Sequence, residues 1–255
     1  MGNKNLKKTV SYLISLAVIL LLWSLIALAV NSELVFPSPE LVFFRFCRLL
    51  SEKVFWSYFF YTFFRILFSF LFTVITGSLI GFLCGFSEFA EDFFQLPIQI
   101  LRTTPVIAII LIVIFWFESD FIPVFICSLM TLPVMITSVT TGFKQTDKGI
   151  EDLAFVCGLK KYQYYLYIKF PLCFPYFING ALQTFGLSWK VVLAAEVLCL
   201  PKKSIGNLLQ KAQMNLETAD LFAITIFVVA VSFILEKCAA IGFKKIQKNR
   251  FIEKQ

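Results

Sequence analysis

Apolar residues run along this chain in blocks much longer than any strand: Thr9 to Val30, Ile66 to Phe86 with an extension from Val54, Phe93 to Phe117, Phe121 to Phe143, Leu172 to Leu200, and Leu221 to Ile241. A helix needs about 20 consecutive apolar residues to cross the hydrocarbon layer of a membrane. Strands of a membrane barrel would instead show about ten residues of alternating polarity, and these blocks do not alternate. The pattern predicts an all-α integral membrane protein of six transmembrane helices, with residues 1–255 forming one transmembrane domain. The first block follows Lys4, Lys7 and Lys8 and ends near Ala27-Leu28-Ala29, features shared with a cleaved signal peptide. Its apolar length exceeds a typical signal core and five more blocks follow, so it is read as a retained anchor.

One stretch fits neither a span nor a solvated loop. "EDLAFVCGLKKYQYYLYIKFP", residues 151–171, is too charged for the bilayer and too apolar for open solvent. Ile150, Leu153, Ala154 and Cys157 recur at helical spacing, with Glu151 and Asp152 on the other face; Leu159, Tyr162 and Leu166 continue a stripe away from Lys160, Lys161 and Gln163. Gly158 divides the two, as a residue that adopts the left-handed conformation ending one helix, and Pro171 suits the first turn of the next span. The segment therefore reads as two short amphipathic helices at the membrane surface. They suit either lipid headgroups, with Lys160 and Lys161 at phosphates, or a groove in a protein; periodicity does not choose.

Composition narrows the chemistry. Hydrophobic residues make up 59% of the 255, with a mean hydropathy of +0.83, more apolar surface than a soluble core can hide. The net charge is +7 and the pI near 9.0, but the cations flank the spans, which points to anionic lipid rather than nucleic acid. Lys4, Lys7 and Lys8, the cluster from Lys144 through Lys148, Lys160 and Lys161 to Lys169, and the tail from Lys244 to Lys254 fall on one side. They hold about twice as many cations as Arg45, Arg48, Lys53, Lys202, Lys203 and Lys211 on the other, which predicts that both termini are cytoplasmic. The loop "SEFAED", residues 87–92, does not help, since it holds only acids on the expected inner side. No histidine is present, the seven cysteines are scattered without a C-x-x-C pair, and no P-loop occurs. The chain thus offers no His-based catalysis or imidazole metal site and no P-loop for ATP. No catalytic residue, metal site or cofactor is expected, and if the chain pumps anything the energy comes from elsewhere.

The spacing within residues 151–171 resembles the cytoplasmic signature of the permease subunits of bacterial ABC importers: E-A-A, three residues, G, nine residues, I-x-L-P. Asp152-Leu153-Ala154 stands at E-A-A, Gly158 at the glycine, and Ile168-Lys169-Phe170-Pro171 at the end, with Asp for Glu, Leu for Ala and Phe for Leu as departures. "VFPSPELVFFRFCRLL", "LPIQILRTTPVIAIILIVIFWF" and "GLSWKVVLAAEVL" are similar, in the same order, to segments of the nitrate, sulfonate and taurine permeases. A second proline usual in the middle segment is absent here, where Ile109, Ile110 and Leu111 stand. The resemblance covers about residues 58–245 and implies a type I importer permease fold in the bacterial cytoplasmic membrane. It further implies a cytoplasmic ABC ATPase, an extracytoplasmic substrate-binding protein and a second permease chain, with two identical copies expected. Residues 144–171 would form the coupling loop, seated in the ATPase through Glu151, Asp152, Leu153, Ala154, Gly158, Ile168 and Pro171. Arg65 matches an arginine of the family and would anchor its helix, whereas Lys190 departs from the usual residue at its position. Substrates of such permeases include sulfonates, taurine, nitrate, bicarbonate and a pyrimidine precursor of thiamine.

Ionisable and polar residues inside spans face cavities or partners. Arg102 reads either as a pathway residue or as a cation snorkelling to headgroups. Thr103, Thr104 and Pro105 are placed to break the third span and open its backbone to a channel. Asn179, Gln183 and Lys190 share a helical face of the fifth span, which Glu196 leaves to pair with another helix. Lys190 reads as part of a buried ion pair or as a substrate contact, and Trp189 as packing or an interface anchor. Arg102, Thr103, Thr104, Pro105, Gln183, Lys190 and Glu196 are the candidate translocation residues. The rival classes are a secondary transporter, against which stands that Glu196 is the only clear carboxylate deep enough for a coupling-ion site, and a polytopic membrane protein coupled to no ATPase.

Overall fold

The computed structural model describes residues 2–145 and 148–252, with side chains from 10 to 145 and from 149 to 242. Lys4, Lys7, Lys8, Lys148 and the cations from Lys244 to Lys254, on which the orientation expectation leans, lie outside the described side chains. Every regular element among the described residues is a helix, in the order α1 (Gly2–Val30), α2 (Pro39–Ser51), α3 (Lys53–Phe86), α4 (Glu88–Thr103), α5 (Val106–Val113), α6 (Ile122–Lys144), α7 (Lys148–Val156), α8 (Lys161–Tyr164), a π-helical turn (Tyr165–Lys169), α9 (Phe170–Cys199), α10 (Ile205–Met214) and α11 (Thr218–Ile252). Five helices are long and apolar enough to cross a membrane, and the α4–α5 pair makes a sixth span if counted as one.

That sixth span, Phe93 to Phe117 in the sequence, is broken where Thr103, Thr104 and Pro105 are expected to break it. α4 and α5 meet at 96°. Pro105 has no N–H to continue the ladder, and the residue before a proline is pushed to extended backbone; Thr104 sits at φ −74°, ψ 130°. The Thr103 and Thr104 hydroxyls donate to carbonyls of the preceding turn, among them Ile100 at 3.2 and 2.7 Å. The acids of "SEFAED" have a local purpose: the Ser87 hydroxyl accepts from the Ala90 N–H at 3.4 Å, and Glu88 and Glu91 occupy the first turn of α4, where negative charge complements the helix dipole.

The core is the packing of α3, α6 and α9. Along α3 the residues at four-residue spacing, Ser69, Thr73, Gly77, Gly81 and Gly85, are small and face α6. Such a stripe lets two backbones approach closely, which matters in a membrane because lipid supplies no hydrophobic drive between helices. A Cβ on Gly81 would stand 2.7 Å from the Val139 Cβ and 3.0 Å from the Ile136 carbonyl oxygen; on Gly85 it would stand 2.6 Å from the Phe143 ring. Hydroxyls complete the seam: Thr73 and Thr131 Oγ1 lie 2.9 Å apart, and Thr140 donates to the Gly81 carbonyl at 3.1 Å. α9 meets α6 in the same manner, with Gly180 on Ser138 and Gly142 on Tyr176.

At the end of the bundle that carries α10, the seam finishes in a polar knot. The Glu196 carboxylate is fully buried and accepts from Thr62 Oγ1 at 2.9 Å, Arg65 Nη1 at 2.9 Å and the Gly206 N–H at 3.1 Å. Arg65 also donates to Asp120 at 2.7 Å and to the Lys203 carbonyl at 2.9 Å. A Cβ on Gly206 would fall 2.3 Å from the Glu196 Cβ, so glycine is what lets the positive end of α10 reach the carboxylate. The arginine anchors α3 as expected, and Glu196 pairs with that helix. α11 packs on α2 and on the N-terminal half of α3, where Phe227 meets Phe55 with ring centres 4.8 Å apart. Among its described side chains α1 touches the rest near its end, through Trp23, whose indole N–H donates to the Pro37 carbonyl at 3.0 Å.

Two outcomes check this packing. Gly81→Ala is expected to lower the unfolding midpoint of the purified protein by the equivalent of about 1–3 kcal/mol, the usual cost of overpacking. Gly242→Ala, where a Cβ meets nothing within 4 Å, is expected to cause no loss; equal behaviour of the two would refute a close-packed seam. Glu196→Gln keeps the shape but leaves Arg65 short of a buried partner, so a loss of about 3–5 kcal/mol is expected in the same denaturation measurement. An unchanged midpoint would show that the knot adds nothing net.

Candidate functional site

The segment between α6 and α9 is built from local rules. α7 closes with paired bonds at its C-terminus, Gly158 N–H to the Phe155 carbonyl at 3.0 Å and Leu159 N–H to the Ala154 carbonyl at 3.0 Å. This closure needs a left-handed residue, and Gly158 sits at φ +78° with nothing within 4 Å of a would-be Cβ. The chain restarts at Lys160, whose N–H is capped by Gln163 Oε1 at 2.9 Å. The next residues run through α8 and the π turn into α9, where Phe170 N–H reaches back to the Tyr165 carbonyl. Pro171 lies in the first turn of α9, as expected. Thr146 and Asp147, within the loop expected over 144–171, lie outside the described residues.

The apolar stripe expected on α7 is present and mostly exposed. Of Ile150, Leu153, Ala154 and Cys157, only Ala154 is buried. Leu153 and Val156 are 63% and 84% exposed, and Asp152 is exposed beside the half-buried Glu151. In the second half Tyr162 and Leu166 are exposed and Tyr164 is the buried residue. At Leu166 the π turn, with bonds from i to i+5, changes the 3.6-residue period on which the second stripe was laid out. Tyr164 packs on Phe155 at 5.9 Å between ring centres, and its hydroxyl lies 3.5 Å from Glu151 Oε2. α7 is thereby folded back onto α8. Ile168 and Pro171 are half-buried at the root of α9.

A cavity of about 680 Å³ lies between α4 and α6, lined by Gln95, Gln99, Arg102, Thr103, Thr137 and Thr141 among others. Its mouth carries Glu91 and Asp92, and Lys144 of α6 closes onto Glu91 in an ion pair. Arg102 and Thr103 therefore share one polar space, with Thr104 and Pro105 at the helix break beside it. Asn179, Gln183 and Lys190 are exposed along one face of α9. The buried Glu196 does not join them: it was expected along a pathway and is enclosed in the knot, because α10 and Arg65 neutralise it there. Trp189 is buried, which makes it packing rather than an interface anchor.

The sequence reading missed Glu236. It lies in the span Thr218–Gly242, and a Cβ on Gly186, between Gln183 and Lys190, would stand 3.3 Å from its carboxylate. A membrane-embedded acid is itself the signal that would have found it. Tyr164 and Lys169 were missed because their partners, Phe155 and Glu151 for the first and Phe143 for the second, lie on other elements.

Comparison with known proteins agrees with this architecture. Residues 77–248 match the family described as binding-protein-dependent transport system inner membrane component. The chain is 30% identical over 201 residues to an aliphatic sulfonates transport permease of Escherichia coli K12, covering 78% of this chain and 76% of that one. It is 25% identical over 236 residues to its counterpart in Bacillus subtilis 168, covering 92% and 85%. With the nitrate import permease of Synechocystis sp. PCC 6803 it shares 27% over 155 residues, covering 60% and 56%. An amino acid ABC transporter crystal structure with histidines superposes with a TM-score of 0.60 over 74% of this chain and 90% of that chain, at 14% identity, a likeness of fold. The match to more than half of its residues makes this chain a member of the family of binding-protein-dependent transport system inner membrane components, and hence a multi-pass ABC importer permease of the inner membrane.

Proposed function

We propose that residues 148–171 are the element through which a separate cytoplasmic ATPase drives this permease, and that both termini lie on that same side. The observation that carries the reading is the exposed apolar edge of α7, Leu153 and Val156, on a helix held rigidly by Gly158 and Tyr164. An amphipathic helix with such an edge docks into an apolar groove. Glu151, Asp152, Ala154, Ile168 and Pro171 set its shape and its junction with α9. ATP-driven closure of two ATPases would draw two such segments together and tip the bundles between inward-open and outward-open states; hydrolysis would let them return.

The cargo we assign is a small anion, received outside from a substrate-binding protein. Relatives named for sulfonates and nitrate support that class, as do the exposed cations Arg102 at the α4–α6 cavity and Lys190 on α9. Arg102, Thr103, Thr104, Pro105, Gln183 and Lys190 are the pathway set; Glu196 is structural. One chain supplies one coupling segment, and two ATPases need two, so the working unit is a dimer of identical chains.

Gly158→Val forces a β-branched residue into left-handed backbone at a cost of about 2 kcal/mol, roughly thirtyfold in the population of the docked form. Co-purification of the ATPase is expected to fall accordingly while membrane insertion is unchanged, and Leu153→Asp on the exposed edge is expected to do the same. Full ATPase retention by both variants would mean that the segment rests on lipid. Native mass spectrometry of the assembled importer is expected to give two permease chains with two ATPases; a single permease chain in the active complex would refute the dimer.

A further inference from the structure

The π turn ends in Lys169, and its ammonium lies among aromatic rings. It stands 4.5 Å from the ring centre of Phe143, 5.4 Å from Tyr165 and 5.9 Å from Tyr164. Among the described residues no carboxylate is recorded within 4.0 Å of it. A lysine at the end of a membrane span has the reach to extend its ammonium to the headgroups; here it turns inward instead and is half-buried. The faces of aromatic rings attract a cation, and more strongly as water is removed.

The rings around it belong to elements that must move together if the ATPase is to drive transport. Phe143 is fully buried at the end of α6 and stacks on Tyr165 at 6.0 Å with an interplanar angle of 10°. Phe86 of α3 touches both, at 4.4 Å from Phe143 and 5.2 Å from Tyr165. Tyr164 carries the contact onward to α7 through Phe155 and Glu151. Stacked rings alone slide and rotate at little cost. A shared cation fixes which faces they present, so it joins α3, α6 and the coupling segment at one point.

We propose that Lys169 is the positioning residue of the coupling step: its ammonium clamps Phe143, Tyr164 and Tyr165 together, so that displacement of α7 by the ATPase is passed to α6 and α3. This assignment rests on the coupling reading above. The test is hydrogen-exchange mass spectrometry on the complete importer, with and without ATP plus vanadate, following residues 149–160 at the ATPase side and 200–216 at the far end. In the wild type both regions are expected to respond. Lys169→Met is expected to keep the ATPase and the response of 149–160 but to reduce the response of 200–216 at least fivefold. Lys169→Arg, whose guanidinium also binds ring faces, is expected to restore it to within twofold. Tyr165→Leu, which removes one face and leaves the charge, is expected to give a partial loss.

An undiminished far-end response in Lys169→Met overturns the proposal, and so does a loss that Lys169→Arg fails to restore, since that would mark a packing defect. If Lys169→Met exchanges faster throughout before nucleotide is added, Tyr165→Leu decides: an unchanged far-end response in it refutes the clamp. A wild type without any nucleotide response at 149–160 refutes the coupling reading itself, and the clamp with it.

Discussion

The close approach of α3 and α6 along Ser69, Thr73, Gly77, Gly81 and Gly85 is the constraint on which the other features rest. Helices in lipid gain nothing by hiding apolar side chains from one another, since the tails are just as apolar; association depends on van der Waals contact and on hydrogen bonds across the interface. The missing Cβ atoms on α3 supply the first, with Val139 and Phe143 filling the space, and Thr73, Thr131 and Thr140 supply the second. Once that distance is set, both ends of the bundle follow. At one end Phe143 is brought against Phe86, which creates the aromatic floor beneath the π turn. At the other, Arg65 and Thr62 are brought within hydrogen-bond reach of Glu196.

The two ends are held by different physics. The knot at Glu196 is ionic, directional and water-excluded, with donors from α3 and α10 meeting one carboxylate. Removing any donor there leaves a buried charge short of a partner, a costly state, so the knot opposes relative movement. The junction at Phe143 is aromatic, with contacts that weaken gradually as rings slide and with one cation to orient them. A bundle fixed firmly at one end and steered at the other tilts rather than unpacks, which suits a permease that must expose its pathway to each side in turn.

What the sequence made legible was whatever depends on a short stretch of chain. The spans follow from runs of apolar residues. The break at Thr104-Pro105 follows from a missing N–H, and the turn at Gly158 from the need for positive φ. Each is decided within a few residues, so each was found. The seam, the knot and the aromatic junction mostly join residues distant in the chain, Thr62 and Glu196 being 134 positions apart, and no local pattern pairs Glu196 with Thr62 or Lys169 with Phe143. Glu236 shows the same limit: counting Glu196 as the one deep carboxylate gave an argument against a secondary transporter that the structure removes. Family membership, rather than a shortage of membrane acids, decides that question. The π turn failed in another way, because a periodicity argument assumes a fixed period and the turn changes it between Tyr165 and Lys169.

α9 shows why these pieces belong to one mechanism. Its 30 residues span roughly 45 Å, from the root of the coupling segment to Glu196. Between those ends it carries the exposed face of Asn179, Gln183 and Lys190. It is locked to α6 by Gly180 on Ser138 and by Gly142 on Tyr176, contacts with no room for a methyl group. A helix seized in this way has little freedom to bend or to slide past its neighbour, because sliding drives Tyr176 into backbone atoms. On the proposed coupling reading, force applied at Pro171 would be carried along α9 and α6 as a pair. The polar face of α9 lies on that lever, between the firmly held end and the steered one, where a tilt changes which side of the membrane it meets.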